Sequence, residues 1–435
     1  MKFERNIEPM KMPENLRVGM MVQEHRLKRQ KDHALHDYYN FVLGQSPFHT
    51  PYPMQKALAD SANKNFYSPA KGINQLIQEI MRFNKAHFDL DLDEKRIVIG
   101  NGTKMIMFML MSMIKGHYIV PSPAWIGYVP LLDYLGKSYE VTRLKEAEAY
   151  KLHPDTLDAL MEEAKDTPVF ILNNPHNPTG ALYTESELEA LAEVCKKHKA
   201  LVIADEIYAL TTYKQEDFVS MAKIYPEGTF VTNGISKDRS SAGYRLGTCI
   251  LPSVDTEIIH EKYACLASTM YTNVATPIQY ASITGYSDNQ EIKDYMDTIR
   301  QIHTMVGTYF SAYCNTIPGV KASVPHGGFY FTLDFNALKD KLKTKGIDSA
   351  HKLTKALLDT PYYIALVMGE SIAISNDDLI ARIAFIDYDG EKVYHQFIKE
   401  TPTTDEEKQA FIESNMSHMV EGFQIIKRFI SDLDS

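Results

Sequence analysis

Short apolar runs alternate with helical patterns between about residues 60 and 260. The apolar runs have the length of buried strands, and most of them end in a polar or glycine-containing turn. These runs are Arg96–Gly100, His117–Val120, Thr167–Leu172, Leu201–Tyr208, Thr229–Thr232 and Thr248–Leu251. Between them, the spacing from Ile73 to Phe83 predicts an amphipathic helix, and the methionine-rich run from Met105 to Ile114 predicts a buried one. Alternating strands and helices predict a mostly parallel sheet in an α/β layered domain.

The remaining third of the chain has a different pattern. A long helical pattern extends from about Ile292 to Tyr309, and strand patterns follow at Gly327–Asp334 and Ala381–Phe385. We therefore expect an α+β segment after the α/β part. Near the N-terminus, residues 39–53 combine a short strand with a glycine and three prolines, which is typical of a linker.

Composition restricts the partners of the chain. Its 435 residues are 44% apolar, so it can bury a large core, and the formal net charge of −10 without a basic patch predicts no nucleic-acid partner. The four cysteines are scattered without C-x-x-C spacing, so we expect free thiols and no metal site. The N-terminus has no apolar segment of signal-peptide length, and the longest apolar run is about half of a bilayer span. We therefore expect a cytoplasmic protein that does not bind a membrane.

The candidate chemistry centres on the segment Ser236–Gly247, a predicted loop between two apolar runs. Lys237 follows Ser236 directly and precedes Arg245 by eight residues. A lysine in a loop is most often solvated. An amine that forms an imine, an arginine that pairs with a dianion and a serine hydroxyl are nevertheless what a phosphorylated aldehyde requires. The G-x-G-x-x-G fingerprint of nicotinamide binding is absent from the sequence.

Two further segments could face the same ligand. Gly102, Thr103 and Lys104 lie where a predicted strand turns into a helix, a geometry that presents free N–H groups to a phosphate, although many such turns hold no anion. Trp125, the single tryptophan, follows another strand and is either a core residue or a stacking partner for a flat cofactor. Tyr67 is open to a packing role or a functional one.

Three more candidates lie at or near the ends of predicted strands. Asp205 ends an apolar run, where it either caps a turn or pairs with a protonated ring nitrogen. The string from Asn173 to Gly180 either forms turns or builds a specific loop. Arg382 interrupts an apolar strand, so it is either an edge residue or an arginine that reaches into a cleft.

Taken together, these strings resemble the motifs of the class I/II pyridoxal-phosphate-dependent aminotransferases of fold-type I. The resemblance covers most of the chain, and the motifs occur in the family's order: Asn177-Pro-Thr-Gly180, Asp205-Glu-Ile-Tyr208, Ser236-Lys237 with Arg245-Leu-Gly247, and Arg382. It implies a large domain with a mostly parallel seven-stranded sheet between helices, and a smaller α+β domain from the N- and C-terminal segments. The implied bounds are 1–50 for an N-terminal arm and part of the small domain, 51–295 for the large cofactor-binding domain, and 296–435 for the small C-terminal domain.

The resemblance also implies a role for each candidate residue. Lys237 would hold pyridoxal 5'-phosphate as an internal aldimine and later shuttle the substrate proton. The other implied cofactor contacts are Asp205 to the ring nitrogen, Asn177 and Tyr208 to the ring hydroxyl, Trp125 stacked on the ring, and Gly102, Thr103, Lys104, Ser236 and Arg245 to the phosphate. Tyr67 would reach the phosphate from the neighbouring subunit, which implies a homodimer with shared sites.

The substrate contacts are implied in the same way. Arg382 would clamp the substrate carboxylate, helped by the backbone near Gly44 and by Asn177, with Trp125 beside the substrate. The family pattern further implies cis peptide bonds at Ser122–Pro123 and Asn177–Pro178.

Two departures from the family pattern affect specificity and phosphate binding. Gly234 replaces a frequent serine, so one phosphate hydroxyl is missing and Lys104 is a candidate to compensate electrostatically. Ser268 stands where the dicarboxylate-specific branch carries an arginine, which leaves the amino donor and the 2-oxo acid acceptor open.

Three functions are compatible with these residues. The first is an aminotransferase that moves an amino group from an L-amino acid to a 2-oxo acid. The second is a lyase or an aminocyclopropane-carboxylate-synthase-like enzyme of the same fold, since both begin from the same cofactor adduct. Trp125 favours transfer, because that synthase branch tends to carry tyrosine there. The third, a non-catalytic binding protein, is disfavoured by the presence of Lys237, Asp205 and Arg245.

Overall fold

The structure is a computed structural model that describes residues 2, 4, 6–8, 10, 12–31 and 36–434. Parts of the predicted N-terminal arm, at residues 1, 3, 5, 9, 11 and 32–35, lie outside the described residues, as does residue 435.

Strands and helices are numbered separately in chain order. The strands are β1 Tyr39–Asn40, β2 Ile97–Gly100, β3 His117–Ser122, β4 Ser138–Arg143, β5 Pro168–Asn173, β6 Leu201–Asp205, β7 Thr229–Gly234, β8 Gly247–Ile250, β9 Lys321–Ala322, β10 Tyr330–Asp334, β11 Ile364–Ala365, β12 Val367–Met368 and β13 Ile380–Ala384. The helices are α1 Glu14–Arg29, α2 Tyr52–Asp60, α3 Asn74–Phe88, α4 Thr103–Met113, α5 Tyr128–Tyr134, α6 Pro154–Glu163, α7 Glu185–His198, α8 Met221–Ile224, α9 Thr256–Met270, α10 Thr276–Tyr286, α11 Gln290–Cys314, α12 Lys339–Thr344, α13 Ala350–Leu358, α14 Gly390–Glu400, α15 Asp405–Asn415 and α16 Ser417–Asp432.

The central feature is a seven-stranded sheet with the order β2, β8, β7, β6, β5, β3, β4. Strand β8 runs antiparallel to both of its neighbours, and the other pairs are parallel. The predicted mostly parallel sheet is therefore confirmed. Because β5, β6 and β7 are adjacent and parallel, the loops that follow them meet at one edge of the sheet, where open α/β sheets bind their ligands.

Both faces of this sheet are covered, which explains the continuous apolar runs. In β5, Val169 and Ile171 belong to one hydrophobic cluster, whereas Phe170 and Leu172 belong to the other. Successive side chains of a strand point to opposite faces, so a strand buried on both faces must be apolar at every position. The methionine-rich helix α4 packs in the first cluster, where Met107, Met109 and Met111 are buried, as the sequence predicted.

Two smaller sheets are built mainly from the C-terminal part of the chain, and one of them includes an N-terminal strand. An antiparallel sheet has the order β12, β13, β10, β9, and β1 pairs in parallel with β11. Residues near the N-terminus therefore pair directly with the C-terminal part of the chain. Helix α11 is 25 residues long and exceeds the predicted helical pattern at both ends.

No helix in the described part of the chain has both the length and the apolar composition that crossing a bilayer requires.

Candidate active site

Lys237 lies in the loop that follows β7, and its ammonium nitrogen donates a hydrogen bond of 2.6 Å to the carbonyl oxygen of Gly44. The same nitrogen lies 5.6 Å from the centre of the Tyr208 ring and 5.5 Å from that of Phe329. The pKa of Lys237 is lowered from 10.5 to about 8, and loss of solvation on burial is the largest cause. Repulsion from Arg382 is the second cause, whereas attraction to Asp205 raises the pKa. A lysine held in this way is neutral, and therefore nucleophilic, at lower pH than an exposed lysine.

Asp205 is buried at the end of β6 and shares this site with Lys237. The hydroxyl of Tyr128 donates to its Oδ2 atom at 2.7 Å, and the hydroxyl of Thr232 donates to Oδ1 at 3.3 Å. Burial raises the pKa of Asp205 above 3.8, and the two hydroxyls and Lys237 oppose that increase. A carboxylate placed here is available to a cationic partner, because a buried charge gains most from a counter-charge.

Asn177 and Tyr208 lie beside each other on neighbouring loops. The Nδ2 atom of Asn177 donates to the Tyr208 hydroxyl at 3.4 Å, and the Tyr208 hydroxyl donates to that of Tyr330 at 3.2 Å. The main chain holds Asn177 in place, because its N–H group donates to the Asn173 side chain at 2.7 Å. Within the described residues, the buried Oδ1 atom of Asn177 has no hydrogen-bond partner.

The turn at the N-terminus of α4 has the features of an anion site. Gly102 precedes the helix with a φ of 79°, and a Cβ atom at this position would collide with the guanidinium of Arg245. Partial burial lowers the pKa of Lys104, and Arg245 lowers it further. Free backbone N–H groups, the positive helix end and two cations therefore converge on one small region.

Gly234 departs from the family pattern for a steric reason. It pairs with Gly247 across the β7–β8 ladder, and a Cβ atom on Gly234 would lie 2.8 Å from the carbonyl oxygen of Leu246. A serine therefore does not fit at this position without movement of the backbone. Ser236, two residues further on, is buried and is the nearer candidate for a hydroxyl.

Trp125 lies on the loop after β3, and its ring meets that of Tyr128 edge to face at 5.0 Å. The ammonium of Lys104 lies 5.4 Å from the centre of the Trp125 ring. The loop is attached to the C-terminal part of the chain, because the N–H group of Ala124 donates to the carbonyl of Ile372 at 2.9 Å.

Arg382 is buried on β13 with its guanidinium 5.1 Å from the centre of the Tyr330 ring. Its Nη2 atom donates to the carbonyl oxygen of Val42, two residues before Gly44. Within the described residues, its buried Nε atom has no partner. Arg382 is thus a buried residue of an inner strand, and the alternative of an exposed edge residue is wrong.

Among the described residues, Tyr67 makes no hydrogen bond or ring contact with the other predicted site residues. Its side chain is 87% exposed, and the neighbouring Phe66 is 50% exposed. Most of the other candidates lie at the ends of β6 and β7, at the start of α4 or on β13.

One backbone prediction needs correction. The Ser122–Pro123 peptide bond is cis as predicted, but the second predicted cis bond is at Asn174–Pro175 and not at Asn177–Pro178. The prediction placed it in the wrong turn of the loop: residues 176–180 form a separate turn, closed by a 2.7 Å hydrogen bond from the Gly180 N–H to the His176 carbonyl.

Sequence reasoning did not assign roles to Tyr128, Tyr330 and Thr232. Tyr128 was visible as an aromatic residue three positions after Trp125, and Tyr330 as part of the predicted strand Gly327–Asp334. Neither position indicates by itself that the hydroxyl meets Asp205 or Tyr208, because those partners are 77 and 122 residues away.

A turn with the features of an anion site, a buried carboxylate and a partly buried lysine lie together at the edge of a doubly covered sheet, and these are the groups that a phosphorylated aldehyde cofactor requires. The comparisons agree: a model of the family described as aminotransferase class I and II matches residues 39–385. The chain therefore belongs to the class I and II aminotransferases, and it is a pyridoxal-phosphate-dependent enzyme that transfers an amino group from an amino acid to a 2-oxo acid.

Named relatives are consistent with this assignment, and a solved structure has the same fold. The chain is 29% identical over 378 residues to an asparagine–oxo-acid transaminase of Streptococcus mutans, covering 85% of this chain and 91% of the relative. It is 30% identical over 345 residues to an aspartate aminotransferase of Bacillus subtilis, covering 77% and 84%. Its fold matches that of the aspartate aminotransferase from Thermus thermophilus with maleate, with a TM-score of 0.78, 22% identity, and coverage of 95% and 98%.

The residues present fit pyridoxal 5'-phosphate. The Asn177 Oδ1 and Arg382 Nε atoms are buried polar groups that lack a protein partner within the described residues. Few such groups remain unpaired in folded proteins, so a ligand is their natural partner. The turn at Gly102 has the backbone geometry and the positive charge that a phosphate requires.

Proposed function

We propose that Lys237 is the residue that carries the cofactor and moves the substrate proton in this aminotransferase. The observation that supports this most strongly is the position of its amine, bonded to Gly44 and acted on by both Asp205 and Arg382. An amine in this position can bond the aldehyde and, once released, can take and return the proton at the substrate Cα. When bound, pyridoxal phosphate supplies an electron-withdrawing ring that stabilises negative charge at that carbon.

The other residues hold the reacting groups in place. Asp205 keeps a proton on the ring nitrogen, and the Asn177–Tyr208 pair binds the ring oxygen. Arg382 pairs with the substrate carboxylate through its planar guanidinium, next to the Val42 carbonyl and close in sequence to Gly44. Trp125 covers the ring.

The phosphate is held at the turn before α4. Gly102 forms the turn, Thr103 provides a backbone N–H group, and Ser236, Arg245 and Lys104 add a hydroxyl and two charges. Lys104 contributes charge where Gly234 excludes a hydroxyl, since a serine at 234 would meet the Leu246 carbonyl.

The assembly we propose is a homodimer with shared active sites, in which Tyr67 reaches the phosphate of the neighbouring subunit. The exposure of Tyr67 supports this, because an aromatic side chain that is 87% exposed contributes little to its own subunit. We also propose the domain bounds 1–50, 51–295 and 296–435. A cytoplasmic location is supported by four free cysteines, three of them buried.

The amino donor is the least constrained part of the proposal. Ser268, in the position where the dicarboxylate-specific branch carries an arginine, is exposed on α9. The named relatives act on aspartate and asparagine, so these two amino acids and a set of neutral and aromatic ones form the first panel.

The test is spectroscopic and begins with the purified protein reconstituted with pyridoxal phosphate. We expect a visible absorption band that Lys237→Ala cannot form with the protein amine, and conversion to the pyridoxamine form on addition of a donor. A protein that binds no cofactor, or a Lys237→Ala variant with an unchanged band and unchanged turnover, would refute the assignment of Lys237. Each donor is then paired with 2-oxoglutarate and oxaloacetate to identify the acceptor.

A further inference from the structure

Tyr330 connects three parts of the site that come from distant parts of the chain. Its ring lies beside the guanidinium of Arg382, and its hydroxyl lies 3.2 Å from that of Tyr208. A Cβ atom on Gly44 would collide with the same hydroxyl, so Tyr330 also contacts the segment that accepts the hydrogen bond from Lys237.

Strand register places Tyr330 against Arg382. In the β10–β13 ladder Thr332 is opposite Arg382 and Tyr330 is opposite Ala384, so Tyr330 and Arg382 are diagonal neighbours on one face. The guanidinium lies 5.1 Å from the ring centre, which is within the range of a cation–π interaction. A flat aromatic surface restricts the orientation of a guanidinium whose Nε atom has no protein partner within the described residues.

The Tyr330 hydroxyl has a role separate from that of the ring, and it depends on the number of protons that the two tyrosine hydroxyls carry. Tyr208 and Tyr330 share one hydrogen bond but carry two hydroxyl protons. If Tyr208 turns its proton to an anionic ring oxygen, its own oxygen becomes free to accept the proton of Tyr330. A hydroxyl that receives a hydrogen bond is a stronger donor, because such chains polarise one another.

We infer that Tyr330 is a positioning residue of the aminotransferase, whose hydroxyl strengthens the hydrogen bond from Tyr208 to the cofactor ring oxygen and whose ring orients Arg382 for the substrate carboxylate. This inference rests on the proposed function of Lys237 and Tyr208. It assigns two separable roles to one side chain, so the hydroxyl and the ring can be removed in turn.

The groups that act electrostatically on Lys237 and on Tyr208 are largely the same. Asp205, Arg382 and Arg245 act on Lys237, and Asp205, Arg382 and Tyr330 act on Tyr208. Replacing Tyr330 with phenylalanine keeps the ring beside Arg382 and leaves Asp205 and Arg245 unchanged, so a change in the proton affinity at Lys237 in this variant reports on the lost hydroxyl.

The experiment compares the wild-type holoenzyme with Tyr330→Phe and Tyr330→Leu, and records the visible spectrum of each across pH. Weaker donation to the ring oxygen favours the protonated form of the Lys237 nitrogen, so the midpoint of the spectral change rises. We expect Tyr330→Phe to raise it by about half a pH unit to one unit, which corresponds to one hydrogen bond. Tyr118→Phe is the matched control, since it removes a buried hydroxyl that bonds the Ile114 carbonyl at 3.1 Å, away from the site.

Kinetics separate the ring from the hydroxyl. With the fastest donor of the panel, we expect KM to change less than about threefold in Tyr330→Phe and to rise about tenfold in Tyr330→Leu, which loses the cation–π contact. If Tyr330→Leu does not fold, the midpoint of Tyr330→Phe still decides the role of the hydroxyl. A wild-type band with a midpoint equal in Tyr330→Phe and Tyr118→Phe would overturn the inference, whereas a wild-type protein without a band would refute the proposed function instead.

Discussion

The ammonium of Lys237 lies 2.6 Å from the carbonyl oxygen of Gly44, a neutral acceptor that is 193 residues away in sequence. A carbonyl provides a direction for the amine without holding a proton on it as a carboxylate would. The carboxylate of the site, Asp205, raises the pKa of Lys237 but does not balance the loss of solvation and the repulsion from Arg382. The amine is thereby oriented and kept reactive by the same arrangement.

The first prediction concerns the stability of the cofactor-free protein. With a folded pKa of about 8 against 10.5, Lys237 binds fewer protons in the folded state than in the unfolded chain between these pH values. Its destabilising effect is therefore complete below about pH 8 and disappears as the pH approaches 10.5. We expect Lys237→Met to stabilise the cofactor-free protein by about 1–3 kcal/mol at pH 7 and by less at pH 10, measured by thermal unfolding.

An exposed lysine provides the control for this effect. Lys343 on α12 is exposed, so Lys343→Met should show no gain that depends on pH in the same way. A stability difference between Lys237→Met and wild type that stays constant from pH 7 to pH 10 would contradict a lowered pKa at Lys237.

The second prediction concerns the hydrogen bond from Tyr128 to Asp205. Without that donor at 2.7 Å, the pKa of the buried carboxyl moves further above its ordinary value. A larger fraction of Asp205 is then protonated at a given pH, and the neutral acid holds the ring-nitrogen proton less well. We expect Tyr128→Phe to reduce kcat about tenfold and to shift the acid limb of the pH–rate profile to higher pH.

A surface pair of the same chemistry tests whether the effect belongs to the site. The Tyr139 hydroxyl donates to the Asp133 carboxylate at 2.8 Å in an exposed position. Tyr139→Phe should leave kcat and the profile unchanged. If the acid limb of Tyr128→Phe coincides with that of wild type, Tyr128 does not act through Asp205.

Tyr128 also shows which parts of the site could be predicted from the sequence and which could not. Lys237 and Asp205 stand in short strings at the ends of buried strands, where topology alone places ligand-binding residues, so their position was predictable. The hydroxyls of Tyr128 and Tyr330 contact partners that lie far away in sequence. Such contacts depend on how two loops or two sheets pack against each other. The local pattern of apolar and polar residues does not predict that packing.

Arg382 is a residue that the sequence did identify as a candidate, but whose position in the sheet the sequence could not decide. The pattern left it open between an edge and a cleft, because a charged residue within an apolar strand fits either. The neighbouring β10 and β12 settle the question, since β13 lies between them and is an inner strand. Strand order in a sheet of distant segments is the information that the sequence alone did not contain.

The third prediction concerns Gly234, where the family often carries serine. A serine Cβ atom would lie 2.8 Å from the Leu246 carbonyl oxygen, so the β7–β8 ladder must move to accept it. We expect Gly234→Ser to destabilise the protein by about 1–3 kcal/mol in urea unfolding and to leave the affinity for pyridoxal phosphate unimproved.

Gly243 is a matched control in the same loop region, because a Cβ atom there meets nothing within 4 Å. Gly243→Ser should therefore unfold at nearly the same urea concentration as wild type. Tighter cofactor binding by Gly234→Ser at unchanged stability would show that the missing hydroxyl, and not the lack of space, distinguishes this chain.

The fourth prediction tests the proposed homodimer with shared active sites through mixed dimers of Lys237→Ala and Tyr67→Ala. If Tyr67 serves the neighbouring subunit, the mixed dimer contains one site with both substitutions and one site with neither. The intact site should restore activity to about half of the wild-type value per dimer, measured at limiting pyridoxal phosphate after the two variants are unfolded and refolded together. If Tyr67 instead serves its own subunit, each site of the mixed dimer keeps one substitution, and activity stays at the mean of the two parent variants. Tyr52→Ala, which removes another exposed tyrosine, is the control partner for Lys237→Ala and should give half of the wild-type activity from its own unmodified sites whether or not sites are shared.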